Sequence, residues 1–291
     1  MELIAILISL VVERFLGSME EFRSFTWFRK YSSWLLARLS GVHGANGPLG
    51  VLLILLLPLL LILAAEYYLT HWWVVLGLIF SVLVLLFSFG PHDLEAQVEA
   101  YVEAEERNDQ DSAMDHAAVL LGENTAGGEA ERTRRIIETS LIEANERMFA
   151  ILIWFLVLGP TGAILYRLTS QLANNSWGDE QTGLATAARR LHAILDWPSA
   201  RLCALAYAFA GSFVDALHAW RIQERQDDWE QGSQLVLIAS GMGALGYVPG
   251  EEEDGHEHDI SLVHETMALI RRAVVVFLGI AALFTLAGWM S

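Results

Sequence analysis

The stretch IIETSLIEANERMFAILIWFLVLGPTGAILYRLT, residues 136–169, joins a charged helical pattern to an apolar run without a polar gap, and carries Gly159-Pro160 in mid-run. About 20 apolar residues suffice to cross the hydrocarbon of a bilayer. A proline, however, removes one i→i−4 hydrogen bond and crowds the preceding turn. Residues 148–168 therefore have two readings. They cross once, leaving residues 170–270 outside unless a weakly hydrophobic helix around 202–217 crosses back; or they break at Gly159-Pro160, dip in and return. The second course is permitted at membrane depth where protein surrounds the irregular backbone.

Working outward, three more runs qualify as spans: 48–64 (PLGVLLILLLPLLLILA), 71–90 (HWWVVLGLIFSVLVLLFSFG) and 273–290 (AVVVFLGIAALFTLAGWM). Composition agrees, since 54% of the 291 residues are hydrophobic and mean hydropathy is +0.39, above the soluble average. Pro58 lies inside the first run, where neighbouring groups in lipid can re-satisfy the carbonyl it frees. Residues 1–16 carry Glu2 where a signal peptide has basic residues, and no small-residue cleavage site follows. They are expected to remain as a short or partial span. Tyr67, Tyr68, Trp72, Trp73 and Trp289 fall at run ends, where amphipathic rings prefer the headgroup level. The expected fold class is all-α: a polytopic membrane protein, residues 1–291 forming a single membrane domain with four or five membrane-embedded helices plus helical cytoplasmic segments.

Orientation follows from Lys and Arg in short loops. Arg23, Arg29, Lys30 and Arg38 mark 17–47 as cytoplasmic, whereas 65–71 has neither residue and is expected outside. Residues 91–147 then form an acidic helical cytoplasmic insertion. In it Leu94, Val98, Tyr101 and Val102 share one stripe, while Glu95, Glu99, Glu103 and Glu106 form a solvated opposite face. A second helix is predicted over 111–121, stopping at Gly122, and a third from about Glu129. Residues 249–270 are read as a polar mobile loop, including EEEDGHEHD (251–259), whose His256 and His258 are taken as solvated side chains and not metal ligands. A net charge of −17 disfavours nucleic acid and flat binding to anionic lipid. The single Cys203 excludes a disulfide framework and a cysteine metal site within the chain.

No G-x-S-x-G elbow, phosphate loop or H-E-x-x-H helix occurs. GMGALG (241–246) matches the dinucleotide pattern G-x-G-x-x-G. LVLIAS before it passes for a strand, but Tyr-Val-Pro-Gly-Glu follows where the phosphate-binding helix should start. Dinucleotide binding is therefore not expected.

Several short motifs occur in a definite order: ERFLG (13–17), GENT (122–125), Glu138-Thr139, GPTGAILYR (159–167), WPSARL (197–202) and ASGMGALG (239–246). In this order they resemble the cobalamin-biosynthesis membrane protein family named for CobD and CbiB, amide-forming synthases of the bacterial inner membrane. Within it the overall character is similar to the AmpE branch of β-lactamase regulatory proteins. The resemblance implies a magnesium- and ATP-dependent reaction, yet this chain departs from the family signatures. The Glu, Asn, Asp and Gly of A-E-N-x-x-D-G fall on Ile142, Glu143, Glu146 and Arg147. The N-T-L-D run falls on Ser170, Gln171, Leu172 and Ala173. The Arg-Asp of G-R-D-T becomes Glu123-Asn124, and the Asp-Pro after D-R-x-x-G becomes Ser18-Met19.

Loss spread over four motifs implies that the reaction was abandoned, so no catalytic residue, metal or cofactor is expected. What stands at those positions has a structural account: Glu143 and Arg147 are spaced as a helix ion pair, and Glu138 either binds or pairs with Arg134 or Arg135. Glu138, Glu143, Glu146, Tyr166, Trp197 and Arg201 are the expected ligand- or partner-binding residues. The resemblance implies a regulator of β-lactamase induction and peptidoglycan recycling. Its expected partners are the lipid bilayer, a small cell-wall-derived ligand and a protein of the induction system. The alternatives are an active synthase with relocated carboxylates such as Glu143 and Glu146, and a lipid or small-molecule transporter.

Overall fold

A computed structural model describes residues 2–16, 25–39, 44, 46–89, 94–122, 128–175, 182–223, 232–247 and 260–287. Among them every regular element is a helix: α1 (Glu2–Leu16), α2 (Thr26–Leu39), α3 (Pro48–Trp72), α4 (Val74–Ser88), α5 (Leu94–Glu106), α6 (Gln110–Leu121), α7 (Glu129–Ala144), a π turn (Asn145–Phe149), α8 (Ala150–Ala173), α9 (Thr182–Ala210), α10 (Phe213–Gln223), α11 (Gly232–Ala244) and α12 (Ile260–Leu286). Three helical stretches, Pro48–Trp72, Glu129–Ala173 and Ile260–Thr285, are long and apolar enough to cross a membrane; Val74–Ser88 is apolar but shorter. The expected all-α membrane class holds. The stand-ins at Ser18-Met19 and Glu123-Asn124, and the run EEEDGHEHD, lie outside the described residues. Residues 260–270, expected as the end of a polar loop, are helical instead.

The chain forms two compact units. One comprises residues 1–91, 146–199 and 284–291, the other 92–145 and 200–283.

In the first unit α3 buries Gly50, Val51, Ile54, Leu55 and Pro58, a stripe of helical spacing. Its remaining leucines are largely exposed, as a lipid-facing helix requires. Residues 65–71, expected as an external loop, instead continue α3 to Trp72, with one extended residue, Trp73, before α4. So tight a turn needs Gly77, whose added Cβ would lie 2.6 Å from Thr70 Oγ1. Tyr67, Tyr68, Trp72 and Trp73 remain exposed around this turn, as an aromatic belt would be. The core joins Phe28, Val51, Ile54, Val84, Ile164, Leu168 and Leu184.

Helix α8 decides the unit. Gly159 has φ +63° and ψ −155°, so the helix is broken there, ahead of Pro160. Residues eight apart in a straight helix stand about 12 Å apart along its axis, but a Cβ on Gly162 would overlap the Trp154 carbonyl oxygen. The two limbs thus double back at the Gly159-Pro160 break. The Glu66 carboxylate of α3 closes its tip: Oε2 accepts from Thr161 Oγ1 at 3.3 Å, and Oε1 lies 2.9 Å from where a Gly159 Cβ would stand. A carboxylate at the start of the returning limb also meets the positive end of its dipole.

In the second unit α5 buries Val98, Tyr101 and Val102 as expected. Asp109 caps α6 by accepting from the Ser112 amide at 3.2 Å and its hydroxyl at 2.7 Å. The acidic face of α5 is partly paired: Glu95 meets Arg271 at 2.7 Å and Glu103 meets Arg107 at 2.7 Å. Glu105 was not foreseen; it is buried against Arg132 of α7 at 2.6 Å. LVLIAS, read as strand-like, belongs to α11, so the dinucleotide pattern lacks its strand. Its first two glycines serve close helix packing instead. An added Cβ on Gly241 would lie 2.5 Å from Leu141 Cδ1, and one on Gly243 2.7 Å from the Asp215 carbonyl oxygen.

Candidate functional site

The hairpin gathers residues that lie far apart in sequence. His192 of α9 stands with Nε2 3.9 Å from Glu146 Oε1, and its ring lies 5.3 Å from the Tyr166 ring, tilted by 53°. Glu146 and Tyr166, on either side of the Gly159 break, are 20 residues apart, about 30 Å in a straight helix, yet they meet at one imidazole. One turn further along α9, Asp196 Oδ1 accepts from the Tyr166 hydroxyl at 2.9 Å. Ser199 Oγ lies 3.0 Å from the Asp196 carbonyl oxygen and 3.4 Å from both the same carboxylate oxygen and the Leu195 carbonyl oxygen, so its one hydrogen has three acceptors within reach, the nearest of them backbone. Trp154 on the outgoing limb donates to the Leu195 carbonyl at 3.0 Å. Both limbs are thus pinned to adjacent residues of α9.

Tyr166 is fully buried and Asp196 nearly so. Burial alone would push the His192 imidazole down, but the Glu146 carboxylate, helped by Asp196, outweighs it and holds the group above its ordinary value. A raised value in the folded state means that the pair's stabilisation is fully present below about pH 6.5, the unfolded value. It is lost as pH rises through the folded one. Replacing Glu146 by Gln should therefore lower the His192 midpoint, read from imidazole NMR signals in detergent, and flatten the decline in melting temperature above neutrality. Asp196→Ala would leave the Tyr166 hydroxyl buried without its acceptor, a loss of about 1–3 kcal/mol. Asp196→Asn, which keeps an acceptor, should cost less in thermal melts.

Of the six expected residues, Glu146 and Tyr166 come together here. Trp197 lies beside Asp196 in sequence but is half exposed. Glu138, Glu143 and Arg201 belong to the other unit. Glu138 there accepts from Arg134 Nε at 2.9 Å, the pairing anticipated as its structural role; Glu143 and Arg201 are partly exposed. Sequence reasoning missed His192, Asp196 and Ser199. Their signal was present, since positions i, i+4 and i+7 share one helical face just ahead of the Ala200-Arg201-Leu202 motif.

The sequence profile described as CobD/Cbib protein matches residues 6–243. The chain belongs to the CobD/CbiB family. Two curated members named "Cobalamin biosynthesis protein CobD" are similar to it. That of Stutzerimonas stutzeri (strain A1501) is 30% identical over 179 residues, covering 60% of this chain and 58% of the relative. That of Chromobacterium violaceum (strain ATCC 12472) is 31% identical over 193 residues, covering 64% and 61%. The matched region thus spans about six tenths of each relative. No solved structure matches the chain.

Against this family background the donor set can be tested for nucleotide-bound magnesium, which takes one or two carboxylates along with phosphate oxygens. Asp196 Oδ1 already accepts from the Tyr166 hydroxyl, and Glu146 faces an imidazole biased toward its cationic form. Among the described residues no group of three or more His, Cys, Asp or Glu side chains converges as a metal site. No reaction step is assigned through the cluster.

Proposed function

We propose that this CobD/CbiB-family protein is a non-enzymatic inner-membrane regulator linked to β-lactamase induction and peptidoglycan recycling. The family cavity is kept as a binding site for a small cell-wall-derived ligand or a protein of the induction system. In this reading residues 17–47 and 91–147 face the cytoplasm. The observation that carries it is the polar cluster of Glu146, His192, Tyr166, Asp196 and Ser199, in which Asp196 accepts from the Tyr166 hydroxyl and Glu146 faces the His192 imidazole at 3.9 Å. Ile142 and Arg147, standing at a Glu and a Gly of the family signature, support it further. The names of the two curated relatives favour a second reading, an active synthase using Glu143 and Glu146.

Purified protein in detergent should show no magnesium-dependent ATP hydrolysis, and should not restore cobalamin synthesis in a strain lacking the family synthase although it reaches the membrane. Deleting the gene should change β-lactamase induction by a β-lactam several-fold. Turnover that disappears in Glu143→Gln or Glu146→Gln would replace this reading with the second.

A further inference from the structure

The second unit holds an apolar surface that the cluster above does not use. From Leu202 to Val214 the sequence LCALAYAFAGSFV contains no charge. It is interrupted at Gly211-Ser212, where α9 ends and α10 begins. Leu202, Phe209, Phe213 and Val214, distributed on both sides of the break, are 46%, 56%, 42% and 74% exposed, and the two phenylalanine rings lie 5.1 Å apart. Thirteen uncharged residues are too few to span a bilayer but suit a segment that enters one leaflet. Arg201 and Arg221 each stand ten residues from Gly211. That is about 15 Å of helix, half the thickness of the hydrocarbon.

Exposed backbone polar groups would make such an insertion costly, and at this break they are provided for. The Gly211 amide donates to the Tyr207 carbonyl at 3.0 Å and the Ser212 amide to the Ala244 carbonyl of α11 at 2.8 Å. A Cβ on Gly211 would overlap that Ala244 oxygen, so the glycine is what admits the second bond. Ser212 Oγ donates to Asp215 Oδ2 at 2.5 Å, and Asp215 sits in the first turn of α10, where a negative charge is favourable. The only acid within the corner thus has its own donor and a helix dipole.

We infer that the α9–α10 corner is a re-entrant membrane contact, with Phe209, Phe213 and Val214 inserted among the acyl chains of one leaflet and Arg201 and Arg221 left near its headgroups. The occupant of this surface is lipid hydrocarbon, because the chain is a membrane protein whose α12, in the same unit, is apolar enough to cross.

The test uses full-length protein in phosphatidylethanolamine/phosphatidylglycerol vesicles. Nitroxide labels are placed at Phe209→Cys and Val214→Cys in a Cys203→Ala background, with Leu61→Cys of α3 as the lipid-facing reference. Oxygen should relax both corner labels several-fold more effectively than water-soluble nickel chelate does, as at Leu61→Cys. Greater access to nickel would mean that the corner lies in water. Access to neither would mean that protein covers it. Either result overturns the inference. Should a cysteine variant fail to fold, Val214→Arg and Val214→Leu provide a second measurement. The arginine should reduce membrane-integrated protein several-fold while the leucine does not, and equal yields overturn the inference.

Discussion

Glu105→Leu should be among the most damaging single substitutions in the chain, lowering stability by about 3–5 kcal/mol and the melting temperature in detergent accordingly. The side chains of Arg132 and Glu105 are only 4% and 2% exposed, and their atoms meet at 2.6 Å. Removing the carboxylate leaves a guanidinium that cannot lose its proton inside a helical interface, beside the Tyr101–Thr133 hydroxyl pair at 3.2 Å. The comparison that isolates the cause is Glu105→Leu with Arg132→Met. Two apolar residues of similar size should recover most of the loss, because the penalty belongs to the unpaired charge and not to the missing attraction. A double variant as unstable as the single one would show that the pair's role lies elsewhere, for instance in α5–α7 geometry.

Gly162→Ala should rank second, at about 3 kcal/mol, near the top of the usual cost of overpacking. Its Cβ would overlap the Trp154 carbonyl oxygen and lie 2.8 Å from Leu158 Cβ, so the obstacle is backbone that no rotamer change can move. The hairpin limbs would have to part, drawing Tyr166 from Asp196 and Trp154 from Leu195. Loss of magic-angle-spinning NMR contacts between Tyr166 and His192, together with a lower melting temperature, is the expected result. Gly159→Ala should also be costly, since the residue sits at φ +63° and its Cβ would lie 2.9 Å from Glu66 Oε1, but that carboxylate is the end of a flexible side chain and can retreat.

Much of this architecture was legible locally. Gly122 as a stop, Glu129 as a start and the break at Gly159-Pro160 are fixed by turn and capping chemistry within a few residues, and the structure has all three. The stripe of Val98, Tyr101 and Val102 followed from helical periodicity alone. What stayed hidden depends on partners distant in sequence. Glu105 stands in a run of acids that looks uniformly solvated, and only Arg132, 27 residues away, makes it a core residue. Asp196 and His192 looked like ordinary polar positions of an amphipathic helix until the hairpin delivered Tyr166 and Glu146 to them. The π turn at Asn145–Phe149 also had no sequence signal.

The hairpin in α8 carries a consequence for topology mapping. A segment that enters and leaves a membrane on the same face adds nothing to the parity of crossings, so a re-entrant hairpin predicts that its two ends, near Arg147 and Asn174, share a compartment. Arg189 and Arg190, both exposed on the helix that follows, then count toward the same side as Arg147. Hydropathy counting, which scores residues 148–168 as a full pass, predicts the opposite face for every later residue, so labelling at Arg189 or Arg190 tells the two apart.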